Sequence, residues 1–312
     1  MEMRTLGSNG PKISVIGLGT WEAGGDQWGK RSDGDTIRAM HAAIDAGMNW
    51  IDTAESYGDG RSEELIGEVL RDRRDEVLVF TKVAHFASGL QRDDIRRAIS
   101  GSLKRLGIDR VDLYQIHWPA EHIVPIEEAW STMAEVADEG LARHIGVSNF
   151  DRTLVERCLA IRQVDSVQNR LSLLAQRDRD SLLPWLAEQG IGYLGYSPLA
   201  FGLLTGSITR ETTFEPGDWR SGQGDVGYYN EYFAPEVIGP HLDKVERLRA
   251  IAEGLGVTTG TLALRAVLEI TGVSGVIVGS RDERHVRDNT WAGEFRLDDE
   301  AKREIDAIFV GS

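Results

Sequence analysis

Short apolar strands alternate with amphipathic helices along the whole chain, and this alternation limits the fold more than any other feature. Ile16–Gly19 precedes a helix near Asp35–Ala46, Trp50–Asp52 one near Ser62–Arg71, and Val77–Lys82 one near Asp93–Leu106. Val111–His117 precedes a helix near Ile126–Glu139, His144–Ser148 one near Arg152–Ile161, and Val167–Asn169 one near Leu182–Gln189. Gly192–Tyr196 is the seventh strand, followed after a long irregular stretch by helices near Leu242–Leu255 and Thr259–Glu269. Val276–Val278 and a helix near Glu283–Trp291 complete the series. Parallel neighbours need crossover connections, which helices supply, and eight such units suit a closed barrel better than an open sheet. The expected fold is therefore α/β: a (β/α)8 TIM barrel with an N-terminal hairpin and a long loop after strand seven. The hairpin falls in Met1–Ile13 around Asn9–Gly10, where it would plug the barrel floor.

Length allows this reading. The 312 residues admit two domains of ordinary size, but a barrel of this kind uses about 250 residues as one unit. One domain over residues 1–312 is expected. A hydrophobic share of 41% with 27% charged residues is globular composition and excludes a disordered chain. The net charge of −15, from 35 basic and 50 acidic residues, opposes nonspecific binding to nucleic acid or anionic lipid. With no long apolar run and no signal-peptide pattern, a cytoplasmic protein is expected, with neither nucleic acid nor membrane as partner. A single cysteine, Cys158, excludes an intrachain disulfide and reads as inert.

In such barrels the C-terminal strand ends and the loops after them build the active site. Strand two ends in Asp52 with Tyr57 five residues on, strand three in Lys82 and strand four in His117. An acid, a phenol, an ammonium and an imidazole would thus meet at one mouth. They suit proton transfer to a carbonyl oxygen while hydride reaches its carbon. A phenol is a poor acid or base near neutrality, and a nearby ammonium lowers its pKa. Lys82, held by Asp52, would do this for Tyr57, and His117 would orient the substrate oxygen.

The motifs GLGTW (17–21), IDTAESYG (51–58), GIDRVDLYQIHWP (107–119), IGVSNF (145–150) and YSPLAFGLLTG (196–206), with TK (81–82), Gln168 and IVGSRDERHVRDN (277–289), resemble the aldo-keto reductase superfamily over nearly the whole length. The resemblance implies a barrel that binds an extended nicotinamide dinucleotide and reduces aldehydes or ketones, with Asp52, Tyr57, Lys82 and His117 as catalytic residues. It also implies cofactor contacts for Gly19, Thr20, Trp21 and Asp52. Ser148, Asn149 and Gln168 would hold the carboxamide, and Tyr196 would stack on the nicotinamide. Ser197, Pro198, Leu199, Gly202 and Leu203 would meet the pyrophosphate. Gly279, Ser280, Arg281, His285 and Asn289 would meet the adenosine end. Trp21 and Trp118 would join Tyr57 and His117 in the substrate pocket.

Arg281 suits a bidentate contact with an adenosine 2′-phosphate, which favours NADP(H) over NAD(H). Asp282 beside it, His285 in place of the family's frequent Gln or Arg, and Val278 where Pro is frequent depart from the pattern. GLGTWEAGG fails as a Rossmann fingerprint because Glu22 holds the place of the third glycine. His117 and His122 find no carboxylate or cysteine to complete a metal set, so no metal is expected. His41, His144 and His241 read as ordinary, and His85 falls near the pocket mouth. Phe201–Pro240, rich in glycine and aromatics, reads as a lid over the cofactor. The expected partner is a small-molecule carbonyl substrate. A cofactor-binding regulatory subunit resembling potassium-channel β subunits and an NAD-linked alcohol or sugar dehydrogenase stay open, as do the substrate and the oligomeric state.

Overall fold

The computed structural model describes residues 1–25, 28, 32–223, 226–280 and 282–309. Met3–Thr5 (β1) and Lys12–Ser14 (β2) pair antiparallel as a two-stranded sheet. Eight parallel strands then close a barrel: Ile16–Gly19 (β3), Trp50–Asp52 (β4), Leu78–Val83 (β5), Val111–Ile116 (β6), Ala142–Ser148 (β7), Ser166–Arg170 (β8), Gly192–Tyr196 (β9) and Val273–Gly279 (β10). Each strand pairs with the next in sequence, and β10 closes the ring on β3. The expected hairpin and barrel are both present.

The helices follow the pattern that predicted them. Arg92–Leu106 buries Ile95, Ala98, Ile99, Ser102 and Leu106, the three-and-four spacing of one helical face. Ser32, Asp151 and Thr258 cap their helices by accepting the backbone N–H three residues on. Two differences stand out. The helix expected from Leu242 starts at Pro235 and runs to Gly254, with Pro240 inside it. Pro235 occupies the first turn, where the missing N–H costs nothing. A further helix, Asp299–Phe309, buries Ala301, Ile305, Ile308 and Phe309.

Apolar side chains fill two regions. One lies between strands and helices. The other is inside the barrel, where Trp50, Phe80, Leu113, Leu194 and Ile277 pack with Leu6 and Ile13 from the N-terminal segment. Trp50 Nε1 also donates to Ser14 O at 2.8 Å. The hairpin therefore closes the floor of the barrel. Gly17 makes room for Trp50, because a Cβ there would overlap the indole ring. Gly17→Ala is expected to cost about 1–3 kcal/mol by overpacking, read as a lower denaturation midpoint at unchanged m-value. A midpoint equal to wild type would contradict this account of the floor.

Candidate active site

Asp52 ends β4 opposite Phe80 of β5, and Lys82 lies two residues further along β5, within side-chain reach of it. Lys82 Nζ donates to Asp52 Oδ1 at 2.5 Å and to Thr53 O at 2.8 Å. Gln168 on β8 donates to Asp52 Oδ2 at 2.9 Å. Lys82 is fully buried and Asp52 only 2% exposed. Burial pushes the Asp52 carboxyl up and the Lys82 ammonium down, and the attraction between them opposes both shifts.

Tyr57 stands in the loop after β4, its ring centre 5.4 Å from Lys82 Nζ and 5.7 Å from the His117 ring. The expected fall in its pKa is not what this environment produces. Burial, then the Asp52 charge and Tyr228, hold the phenol well above its ordinary value of 10.0. Loss of hydration is the largest of these causes, and the Asp52 carboxylate adds to it. Tyr57 is therefore a proton holder across the neutral range. His117, at the end of β6, is pushed well below 6.5 by burial, then by Lys82 and His85, which keeps its imidazole neutral.

Neither group then titrates between about pH 6 and 9, and the Asp52–Lys82 pair keeps zero net charge whichever partner holds the proton. The pH profile of kcat/KM for carbonyl reduction is expected to be flat over that window. An inflection near 6.5 that disappears on replacing His117 would contradict it.

A cavity of about 780 Å³ opens at this mouth and runs along the barrel rim. Asp52, Tyr57, His117 and Trp118 line it together with Ser148 and Asn149 from the end of β7. Tyr196 at the end of β9 follows, donating to Asn149 Oδ1 at 2.7 Å, and then Ser197, Pro198, Leu199 and Gly202. Gly279, Ser280, His285 and Asn289 lie at the far end, while Gly19, Thr20 and Trp21 form the wall between. Three expected residues sit elsewhere. Lys82 lies behind Asp52, Gln168 is committed to Asp52, and Leu203 is buried beneath its loop. Arg281 lies outside the described residues.

This groove suits an extended dinucleotide. Asn149, Ser197, Ala200 and Phe201 have φ values of 65°, 53°, 47° and 57°, a left-handed conformation that non-glycine residues seldom adopt. Such strain collects at ligand sites. Gly202, at φ 99°, continues the bend. The helices Thr259–Leu268 and Glu283–Trp291 start at the groove, their cap residues Thr258 and Asp282 in its wall, so two helix N-termini favour phosphate there.

Several lining residues were not anticipated, among them Glu22, Trp28, Phe86, Phe201, Arg220, Tyr228 and Asp288. Some belong to the segment after β9. In it, Trp219 packs on Phe201 and Phe233, and Arg220 donates to Phe201 O and pairs with Asp218. Its aromatics were visible in the sequence, but no periodicity assigned them partners. At Cys158, burial pushes the thiol up to about 12, which makes it unreactive.

Residues 15–309 match the aldo/keto reductase family. The chain is 33% identical to the aldo-keto reductase YhdN of Bacillus subtilis, the match covering 99% of this chain and 93% of the relative. It is 31% identical to the NADH-specific methylglyoxal reductase of Escherichia coli, over 96% and 95% of the two chains. Among solved structures, the glycerol dehydrogenase AKR11B4 from Gluconobacter oxydans superposes with a TM-score of 0.87 at 29% identity, over 99% and 96%. An aldo/keto reductase from Klebsiella pneumoniae in complex with NADP and acetate gives 0.77 at 26%, over 99% and 96%.

Proposed function

The chain belongs to the aldo/keto reductase family, and from that premise we propose that it reduces an aldehyde or ketone to the alcohol, with NADPH as reductant and Tyr57 as general acid. The enzyme is an oxidoreductase, and the nicotinamide supplies hydride to the carbonyl carbon. Tyr57 gives the proton to the carbonyl oxygen. Neutral His117 donates a hydrogen bond to the same oxygen and orients it. Asp52, itself held by Gln168, keeps Lys82 behind the phenol. The observation that carries this reading is the meeting of Tyr57 and His117, in front of a buried Asp52–Lys82 pair, at the mouth of a groove also lined by Ser148, Asn149 and Tyr196. Loss of NADPH absorbance with 4-nitrobenzaldehyde tests it, and a folded protein that oxidises neither NADPH nor NADH with a panel of carbonyls contradicts it.

The preference for NADPH rests on Arg281. Removing a charge-assisted contact to the 2′-phosphate costs roughly 1.5–3 kcal/mol, about 10- to 150-fold in affinity. Arg281→Ala is expected to weaken NADPH binding by that factor and NADH binding little, as read by fluorescence titration. Equal losses would move the assignment to NAD(H). Two carboxylates, Asp282 and Asp288, line the far end of the groove and favour this second reading. The 31% identical E. coli relative, named as NADH-specific, gives it weight.

A further inference from the structure

The turn after β5 is fastened from the neighbouring loop after β4 by a carboxylate that takes no part in the chemistry above. Ala84–Ser88 is closed on itself, with Ala87 N and Ser88 N both donating to Ala84 O at 3.0 Å. Phe86 in this turn lines the cavity, lies 6.0 Å from the His117 ring and is 60% exposed. An exposed phenyl ring at a ligand mouth needs its backbone held if it is to present a defined wall.

Glu55 does the holding. It sits between Asp52 and Tyr57 in the loop after β4 and is 7% exposed. Its Oε1 accepts from Ala84 N at 2.9 Å and its Oε2 from Ser88 Oγ at 2.8 Å, one contact at each end of the turn. The nearby Glu63 is spent differently, accepting from Thr81 and Arg105. Burial pushes the Glu55 carboxyl up while the Ala84 and Ser88 donors pull it down, and two bonds from one side chain fix both ends of the turn. This clamp ties the loop that carries the proton donor to the turn that carries Phe86.

We propose that Glu55 is a positioning residue for substrate selection: by clamping Ala84 and Ser88 it fixes Phe86 as the wall against which a flat apolar part of the carbonyl substrate packs. This rests on the proposed reductase function, and it names aryl or similarly flat carbonyl compounds as the favoured class, since Trp21 and Trp118 line the same cavity.

The test compares kcat and KM for an aryl ketone and for propanal. Ser88→Ala is expected to raise KM for the aryl ketone by about 10-fold, the loss of roughly one hydrogen bond, with kcat and both propanal parameters near wild type, and Glu55→Ala, which removes both bonds, is expected to raise that KM at least as much. Glu55→Gln is expected to restore the aryl ketone KM, because its amide oxygen accepts from Ala84 N and its NH2 donates to Ser88 Oγ. In a Phe86→Ala background, Ser88→Ala is expected to add nothing, a non-additivity that a general loss of stability would not produce. If Glu55→Ala does not fold, Ser88→Ala, which removes one hydroxyl, carries the test alone. An unchanged ratio of the two substrates in Ser88→Ala, or losses that add in the Phe86→Ala background, overturns the inference alone. A wild type that reduces propanal or other carbonyls of the panel but no aryl ketone overturns the inference alone, and one that reduces no carbonyl of the panel with NADPH or NADH overturns the proposed function and this inference with it.

Discussion

Tyr57→Phe is expected to lower kcat for carbonyl reduction by at least about 10²-fold, the low end for removing a general acid. The fold and cofactor affinity are expected to stay near wild type. The substitution removes one oxygen from a half-buried ring whose packing against His117 is through its face and edge. The raised pKa of the phenol makes this a sharp test. Burial and Asp52 hold the phenol well above its ordinary value, so Tyr57 keeps its proton across the neutral range in which the comparison is made. Near-wild-type turnover by a folded Tyr57→Phe enzyme would remove the proton donor from the mechanism.

Lys82→Met is expected to have the largest effect on stability. It leaves the Asp52 carboxylate buried with Gln168 as its one remaining side-chain donor among the described residues, and breaking such a pair from one side costs about 3–5 kcal/mol. Chemical denaturation measures this directly. The double variant Asp52→Leu/Lys82→Met removes both charges and is expected to recover most of the lost stability, since an apolar pair can replace a buried ion pair at little cost. It is not expected to recover turnover. Full recovery of kcat in the double variant would show that the pair serves folding alone.

The sequence was legible where one residue type and one position carried the information. The helix expected near Ile126–Glu139 is found at Ile126–Asp138, because its apolar face repeats cleanly and the strands beside it are short and apolar. Asp52, Lys82 and His117 were found from their places at strand ends, a property of the barrel and not of pairing detail. The helix from Pro235 was hidden by Pro240, which reads as a breaker but stands inside the helix, in its second turn. Asp299–Phe309 had a readable spacing of buried residues that the strand-and-helix alternation does not require.

What could not be read is how the site groups share their hydrogen bonds. From sequence, Lys82 held by Asp52 was expected to lower the pKa of Tyr57. In the fold, Asp52 and Thr53 take its protons, and the phenol responds to burial instead. Gln168, expected at the carboxamide, gives its amide nitrogen to Asp52, a partner that residue spacing did not indicate. Phe86 carried no motif, and its place in the cavity follows from the turn that Glu55 holds. These are facts of three-dimensional partnering, and residue spacing does not encode them.

The central claim is direct hydride delivery to a carbonyl carbon in this groove. The most direct measurement uses NADPH carrying deuterium at the transferred position of nicotinamide C4, with 4-nitrobenzaldehyde as acceptor. Mass spectrometry of the product then reads the label. The account predicts 4-nitrobenzyl alcohol with one deuterium on the carbinol carbon, formed by the wild type and at least about 10²-fold more slowly by Tyr57→Phe. Alcohol formed without label from either C4 face of the cofactor, or none formed by a folded enzyme saturated with NADPH or NADH, would contradict it.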